Sequence, residues 1–340
     1  VELWMSQGTE ATTSRVADIN SGSAGSNPSL ITAGAARIFF AADDGSLGSE
    51  PWVLHDETVE PDDPTTVGSS SHAASTWSNS NLITVQWSGA SDSGSGVRGY
   101  SVLFDTSPST VPDRTVDVFH TSNPHEFTSA ALADGTSHYF HLSTCDWADN
   151  CTSTEHLGPF WIETQPPTGP SALASTSHTV DVWSTQTTLA MQWSGASDAA
   201  SGMQGYSVLF DSNATTDPGT PVNVAHVDGP NTASDTMTGG TYWFHLRACD
   251  NAGTCSEAQH SGPYKIDVSA PSNPSSLAST SHTISEFSND PSITMAWSGA
   301  GDDSGSGVAG YSVVVDETSN TQIDTSIEVP HIDGTSVHTW

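Results

Sequence analysis

The chain has 340 residues, a formal net charge of −33 and only six Lys plus Arg. Acidity on this scale excludes nucleic acid and an anionic membrane surface as partners, since both need cations to displace counterions; it leaves divalent-cation affinity or solubility in salty surroundings. No run of eighteen apolar residues is present, no signal peptide is visible, and a start at Val1 reads as a processed chain or a fragment.

Residues 1–56 form a first segment. It carries Glu2-Leu3-Trp4 and later Glu50-Pro51-Trp52, with QGTEATT, ADINSGSAGSNPSL and AADDGSLG between them. These short runs broken by Gly and Asp predict a β-rich unit. One unit of that size cannot bury its own apolar face, so it is expected to pack on something else.

From residue 57 the chain repeats itself. The blocks WSGASDSGSGVRGYSVLFD, WSGASDAASGMQGYSVLFD and WSGAGDDSGSGVAGYSVVVD open at Trp87, Trp193 and Trp297. A spacing of about one hundred residues is a whole domain. The expected modules are 57–164, 165–268 and 269–340. Within each, apolar residues alternate. Ile83, Val85 and Trp87 share one face, as do Leu189, Met191 and Trp193, and Ile293, Met295 and Trp297. Tyr100, Val102 and Phe104 repeat as Tyr206, Val208 and Phe210, then as Tyr311, Val313 and Val315. Phe140 and Leu142 match Phe244 and Leu246. Period-two alternation is a half-buried strand, and several such strands per hundred residues indicate an antiparallel β-sandwich. No apolar run has helical spacing. The predicted fold is all-β: tandem sandwiches after a short β-rich segment. The third copy has no counterpart of the strands that carry Phe244 and Leu246. It is expected to expose core and an unpaired edge, completed by continuing chain or by strands from another chain.

A Trp late in the second strand, a Tyr opening the third and the turns CDWADNC and CDNAGTC resemble fibronectin type III and related bacterial immunoglobulin-like repeats. The tails GPFWIETQPPTGPSAL and GPYKIDVSAPSNPSSL resemble the last strand and Pro-rich linker of such arrays. The resemblance covers residues 61–340 and implies a secreted or cell-surface spacer, adhesion or glycan-binding role without catalytic residues. Residues 1–56 are similar to part of a bacterial β-repeat that begins E-L-W with a following G-T.

Four cysteines form two pairs, Cys145 with Cys151 and Cys249 with Cys255. Each pair brackets a hairpin-like turn, and a disulfide there is worth about 2–3 kcal/mol in the chain-entropy model. Zinc is the alternative, weakened by the lack of a second pair in each module. Disulfides imply an oxidising, extracellular location. Of two sequons, Asn213 is the better candidate for a glycan; Asn150 sits inside a cysteine loop.

The carboxylates give the candidate sites. Asp92, Asp198 and Asp303 precede the strand-opening Tyr, and Asp146 and Asp250 sit in the cysteine turns at the same pole of the sandwich. The linker reaches that pole too. It is expected to bring Glu163 to Asp198 and Asp250, and Asp267 to Asp302 and Asp303. In the first module Asp56, Glu57, Glu60, Asp62 and Asp63 would face Asp92, Asp146 and Asp149. Such clusters suit calcium, which takes six to eight oxygens with loose geometry; solvated loop acids are the competing reading. Two G-x-G-x-x-G sequences, Gly94–Gly99 and Gly305–Gly310, run into strands rather than a helix, so they are tight loops and not nucleotide sites. His141 and His245 alternate with Phe140 and Phe244 and are expected to point outward. Trp77, Trp183 and Phe287 recur at the start of the second strand, one aromatic per module. No H-E-x-x-H or G-x-S-x-G is present, so no enzyme is expected. The expected function is an extracellular structural protein of a filament, sheath or surface layer, self-associating through its incomplete last module. The alternatives are an adhesion or carbohydrate-binding protein, and the non-catalytic region of a large secreted hydrolase.

Overall fold

The computed structural model describes residues 2–6, 8–10, 13–34, 37–55, 58–121, 123–302, 305–332 and 338–339. They contain strands and no helix. The chain divides into two compact units, Val1–Gln165 and Pro166–Trp340.

The first unit opens with a hairpin of Trp4–Ser6 and Thr13–Arg15 and a three-stranded antiparallel sheet of Ser29–Ala33, Arg37–Asp43 and Ser49–His55. The middle strand alternates as its sequence requires: Phe40 and Ala42 are buried while Phe39 is exposed. Leu3 joins them, with Val16, Ile19, Ile38, Trp52 and Leu54 packed around. So small a core leaves Trp4, Leu30, Ile31 and Val53 in solvent. The segment thus makes a core of its own, one that covers only part of its apolar surface.

The rest of the first unit is a sandwich. One sheet orders His125–Thr128, Thr84–Ser88 and Thr66–Ser69. The other orders Val118–Phe119, Val97–Asp105, Gly135–Asp146, Glu155–Ile162 and Trp77–Ser78, the last pair parallel. Ile83, Val85, Trp87, Tyr100, Val102, Phe140, Leu142, Phe160 and Ile162 fill the space between. Trp87 packs edge-on to Tyr100 at 5.2 Å between ring centres. Burying side chains of this size at roughly 25 cal/mol per Å² is the main stabilising term.

The second unit repeats this sandwich strand for strand. Ala172–Ser175, Thr188–Ser194 and Asn231–Thr236 form one sheet. Trp183–Ser184, Gln259–Ile266, Gly240–Asp250, Met203–Asp211 and Val224–Ala225 form the other. Leu189, Met191, Trp193, Tyr206, Phe244 and Leu246 occupy its core. Both sandwiches thus set a three-strand sheet against a longer one, with a short edge strand parallel to the last strand. Trp77 and Trp183 do not open the second strand. Each sits in that short parallel strand, against Trp161 and Lys265, because the chain breaks pairing before Thr84 and Thr188 and crosses to the other sheet. Phe287 lies outside any strand and is fully exposed.

The third sandwich is open. Ser276–Ser279, Met295–Ser298 and His338–Thr339 pair as one sheet, and Gly310–Tyr311 with Val329–Pro330 as the other. Among the described apolar residues of this copy only Trp297 and Tyr311 are buried. Ile293, Val315 and Leu277 are 47%, 48% and 67% exposed, whereas Ile83 and Leu189, the counterparts of Ile293 in the first and second copies, are fully buried. A groove of about 820 Å³ lies where the long central strands sit in the other copies, lined by Leu277, Ile293, Met295, Trp297, Tyr311 and Val313.

Candidate functional site

The linker does reach the loop pole. Asp62 N–H donates to Ser91 O at 2.7 Å, Thr168 N–H to Ser197 O at 2.9 Å and Ser272 N–H to Gly301 O at 2.8 Å. The same contact thus docks each incoming linker on the loop after the core Trp. In the first copy Ser91 Oγ also donates to Asp62 Oδ2 at 3.0 Å. Asp56 and Glu57 lie outside the described residues.

The loop carboxylates are turned onto backbone amides. Asp92 accepts from the N–H groups of Gly94, at 3.2 Å, and Gly96. Asp198 accepts from Gly202 N–H at 2.6 Å and Ser201 Oγ at 3.5 Å. In the third copy Asp302 accepts from Gly307 N–H at 2.6 Å; Asp303 lies outside the described residues. Gly96, Gly202 and Gly307 all have positive φ, the conformation that aims their N–H groups back at the acid and that Gly adopts freely. The G-x-G sequences are therefore acid-capped tight loops.

The cysteine turns follow the same logic. Disulfides join Cys145 to Cys151 and Cys249 to Cys255. Inside the first loop Asp146 is fully buried and accepts from Ala148 N–H, Asn150 N–H and Asn150 Nδ2–H, each at 2.8 Å. Asp250, also fully buried, accepts from Thr254 N–H at 2.8 Å and from the Thr254 hydroxyl. A buried carboxylate with two or three donors is already satisfied, so a cation here would have to displace them. Asn150 Nδ2 is engaged in this way, whereas Asn213 is exposed.

Glu163 and Asp267 occupy equivalent positions, one residue past Ile162 and Ile266. Their N–H groups donate to Ser78 O and Ser184 O at 3.0 and 2.9 Å. Both carboxyl-bearing residues are buried. Asp267 reaches the third-copy loop as expected, but it meets the loop's amides: Oδ2 accepts from Ser306 N–H at 2.7 Å and Oδ1 from Ser269 N–H at 3.0 Å. Those bonds, the Ser306 amide first, hold its carboxyl below the usual carboxylate range.

The largest departure from the sequence reading concerns histidine. His141 and His245 do not point outward into solvent; both are fully buried. His141 Nε2–H donates to Asp105 at 3.0 Å, and its Nδ1 lies 2.7 Å from His156 Nδ1 on the neighbouring strand. The second copy repeats this with His245, Asp211 and His260 at the same distances. The carboxylate fixes the tautomer of the buried ring, whose Nδ1 then accepts a hydrogen bond from the N–H of its partner ring. Burial opposes ionisation of Asp105, and the bonds from Thr110, Ser107 N–H and His141 overcome it, so its carboxyl stays below the ordinary range. The signal in sequence was the co-recurrence of Asp105, His141 and His156 with Asp211, His245 and His260. Their outward place on the strand gave no hint that neighbouring side chains cover them.

The other recurring histidines pin loops. Tyr100, Tyr206 and Tyr311 each pair with a His Nδ1 at 3.0 Å, from His120, His226 and His331. His72, His178 and His282 bridge a Ser hydroxyl and a backbone carbonyl in each copy. His125 is different. It is buried against Tyr100 and His120, its Nε2 has no partner, and burial together with the charge of His120 lowers its pKa. In the second copy Asn231 takes this place opposite the Trp and bonds to Val227, Gly229 and Tyr206.

No protein-family model matches the chain. Chitinase A1 of Niallia circulans is 29% identical over 210 residues, which cover 60% of this chain and 26% of the chitinase. The chain thus spans about a quarter of that relative's length. Among solved structures, the fibronectin(III)-like modules of Clostridium thermocellum CbhA align with 60% of this chain and 94% of their own, at 14% identity and a TM-score of 0.34. The FN1-FN3 domains of chicken CNTN1 align with 68% and 78%, at 14% identity and a TM-score of 0.32.

Proposed function

We propose that the chain is an extracellular, non-catalytic array of fibronectin III-like modules that serves as a structural spacer within a surface or secreted assembly. The observation that carries this is the loop pole. In both complete sandwiches Asp92, Asp146, Asp198 and Asp250 accept from backbone donors, and the incoming linker docks beside them in the same way in every copy. That chemistry serves to hold a fold together. The disulfides support an oxidising compartment. The open face of the third sandwich supports completion by added strands, from continuing chain or from a second copy, with apolar alternation like that of Phe244 and Leu246. Calcium bound at the junction acids Asp267 and Asp302 would stiffen the array further.

A second reading has its own support: the likeness to chitinase A1 favours an accessory region of a polysaccharide-active secreted enzyme. Co-sedimentation with insoluble chitin separates the two. Under the spacer reading the purified chain stays in the supernatant and releases no reducing sugar; retention on chitin would replace it with the accessory reading. Sedimentation velocity over a range of concentrations then tests self-association. A monomer throughout would remove the second copy as the source of the added strands.

A further inference from the structure

Glu2 and Glu50 hold the same place in the two E-x-W sequences, yet their carboxylates have opposite surroundings. Glu2 accepts from Ser26 Oγ–H at 2.6 Å, Ser26 N–H at 2.9 Å and Ile19 N–H at 3.2 Å. The Ser26 hydroxyl is the main reason that its carboxyl lies below the ordinary range. Glu50, in the strand Ser49–His55, has both carboxylate oxygens buried and no donor on either.

Two further acids converge on it. Asp43 ends the strand Arg37–Asp43 opposite Ser49, and Glu50 stands opposite Ala42. Asp44 opens the turn between the two strands. Carboxylate oxygens of Asp43, Asp44 and Glu50 lie within 4.8 Å of one another. Asp43 Oδ1 accepts from Gly45 N–H at 2.7 Å and Asp44 Oδ1 from Ser46 N–H at 2.8 Å, which closes the turn and leaves one oxygen of each acid for another partner. Among the described residues no ion pair involves any of the three. The Asn20 amide oxygen stands beside the same turn, 2.8 Å from where a Cβ on Gly45 would lie.

A buried carboxylate without donors is costly, and two more negative groups beside it raise the cost. A cation removes both penalties at once. We propose that Asp43, Asp44 and Glu50 form a binding site for a hard divalent cation of the calcium class. Carboxylate oxygens at loose spacing are its preferred ligands, whereas magnesium demands a near-ideal octahedron. The ion would tie the hairpin turn to the sheet. It would compensate for the small core of residues 1–56, as bound metals do in small domains. The inference is independent of the spacer reading and of the junction acids.

The test uses the whole chain, stripped with chelator and titrated with Tb³⁺ and with Ca²⁺. Trp52 lies two residues from Glu50 and serves as the sensitiser for Tb³⁺ emission. The expected result is saturable emission that Ca²⁺ displaces. Affinity at this site should fall at least tenfold in Glu50→Gln and in Asp44→Asn, and stay unchanged in Asp267→Asn. Thermal unfolding supplies the second readout. In chelator, Glu50→Gln should melt no lower than the parent chain, because the orphaned charge is gone; with calcium the order should reverse. Absence of calcium binding, or emission that is equal in the parent chain and Glu50→Gln, overturns the proposal.

Discussion

Gly205 precedes the Tyr that opens the third strand, as Gly99 and Gly310 do in the other copies, and the structure shows why no larger residue fits. A Cβ on Gly205 would fall 2.4 Å from Val224 O, 2.6 Å from Val222 Cγ1 and 3.2 Å from Ala225 Cα. Two of these are backbone atoms of the paired strand Val224–Ala225, held at Gly205↔Ala225 and Tyr206↔Val224. Relief therefore requires that strand to move away from Tyr206 and His226. Overpacking of this kind costs about 1–3 kcal/mol. Gly205 does not need positive φ, so Ala also gains about 0.4–1 kcal/mol by restricting the unfolded chain. The expected net effect of Gly205→Ala is a loss of about 1.3 kcal/mol, or a fall of roughly 5–10 °C in the melting of the second sandwich. Gly239→Ala in the same sandwich is the control, since its nearest atom is Ile266 O at an ordinary 3.7 Å. Differential scanning calorimetry with urea titration of both variants measures the difference. A Gly205→Ala chain that melts at or above the parent would refute the close-approach argument.

Further predictions follow from the same geometry. His125 is buried with a lowered pKa, so the unfolded chain takes up its proton first. The first sandwich should keep its full stability above about pH 6.5 and lose some as pH falls from there toward the lowered folded pKa, below which the loss levels off. His125→Asn, which imports the second copy's residue, should flatten that slope in pH-dependent melts. Asp105 and Asp211 have depressed pKa values, so their contribution is present above the ordinary Asp pKa near 4 and lost as pH falls below it. Acid titration of the melting temperature should drop there in both sandwiches, less so in an Asp105→Asn, Asp211→Asn double variant. Burial pushes the Tyr100 hydroxyl up to about 12 and also raises that of Tyr206; absorbance titration should find both among the late-ionising tyrosines, and Tyr100→Phe should remove one of them. Replacing Cys249 and Cys255 together by Ser should lower the second sandwich by about 2–3 kcal/mol, measured by urea unfolding.

Much of this architecture could be read in the sequence because alternation reports directly on burial. Ile83, Val85 and Trp87 are inward in sequence and buried in the structure. The cysteine pairs were legible because six residues across a tight turn leave few other options. The role of the loop acids was not. In sequence Asp92 and Asp198 are simply acids before a Gly-containing loop; that Gly96 and Gly202 take positive φ and turn their N–H groups onto the carboxylates is visible only in the structure. His141 was misread because strand alternation gives the side of a sheet, not what lies over it. Glu50 escaped notice for a related reason: an acid in a strand looks solvated until both its oxygens prove buried.

The open face of the third sandwich offers the most direct test of a structural array completed by added strands. The measurement is binding of an apolar fluorescent dye to the whole chain, before and after addition of an oxidised peptide spanning residues 240–266, the strand pair that closes the second sandwich. The account predicts bright dye emission that the peptide suppresses near equimolar ratio. Dye emission that the peptide leaves unchanged at saturating excess would contradict it.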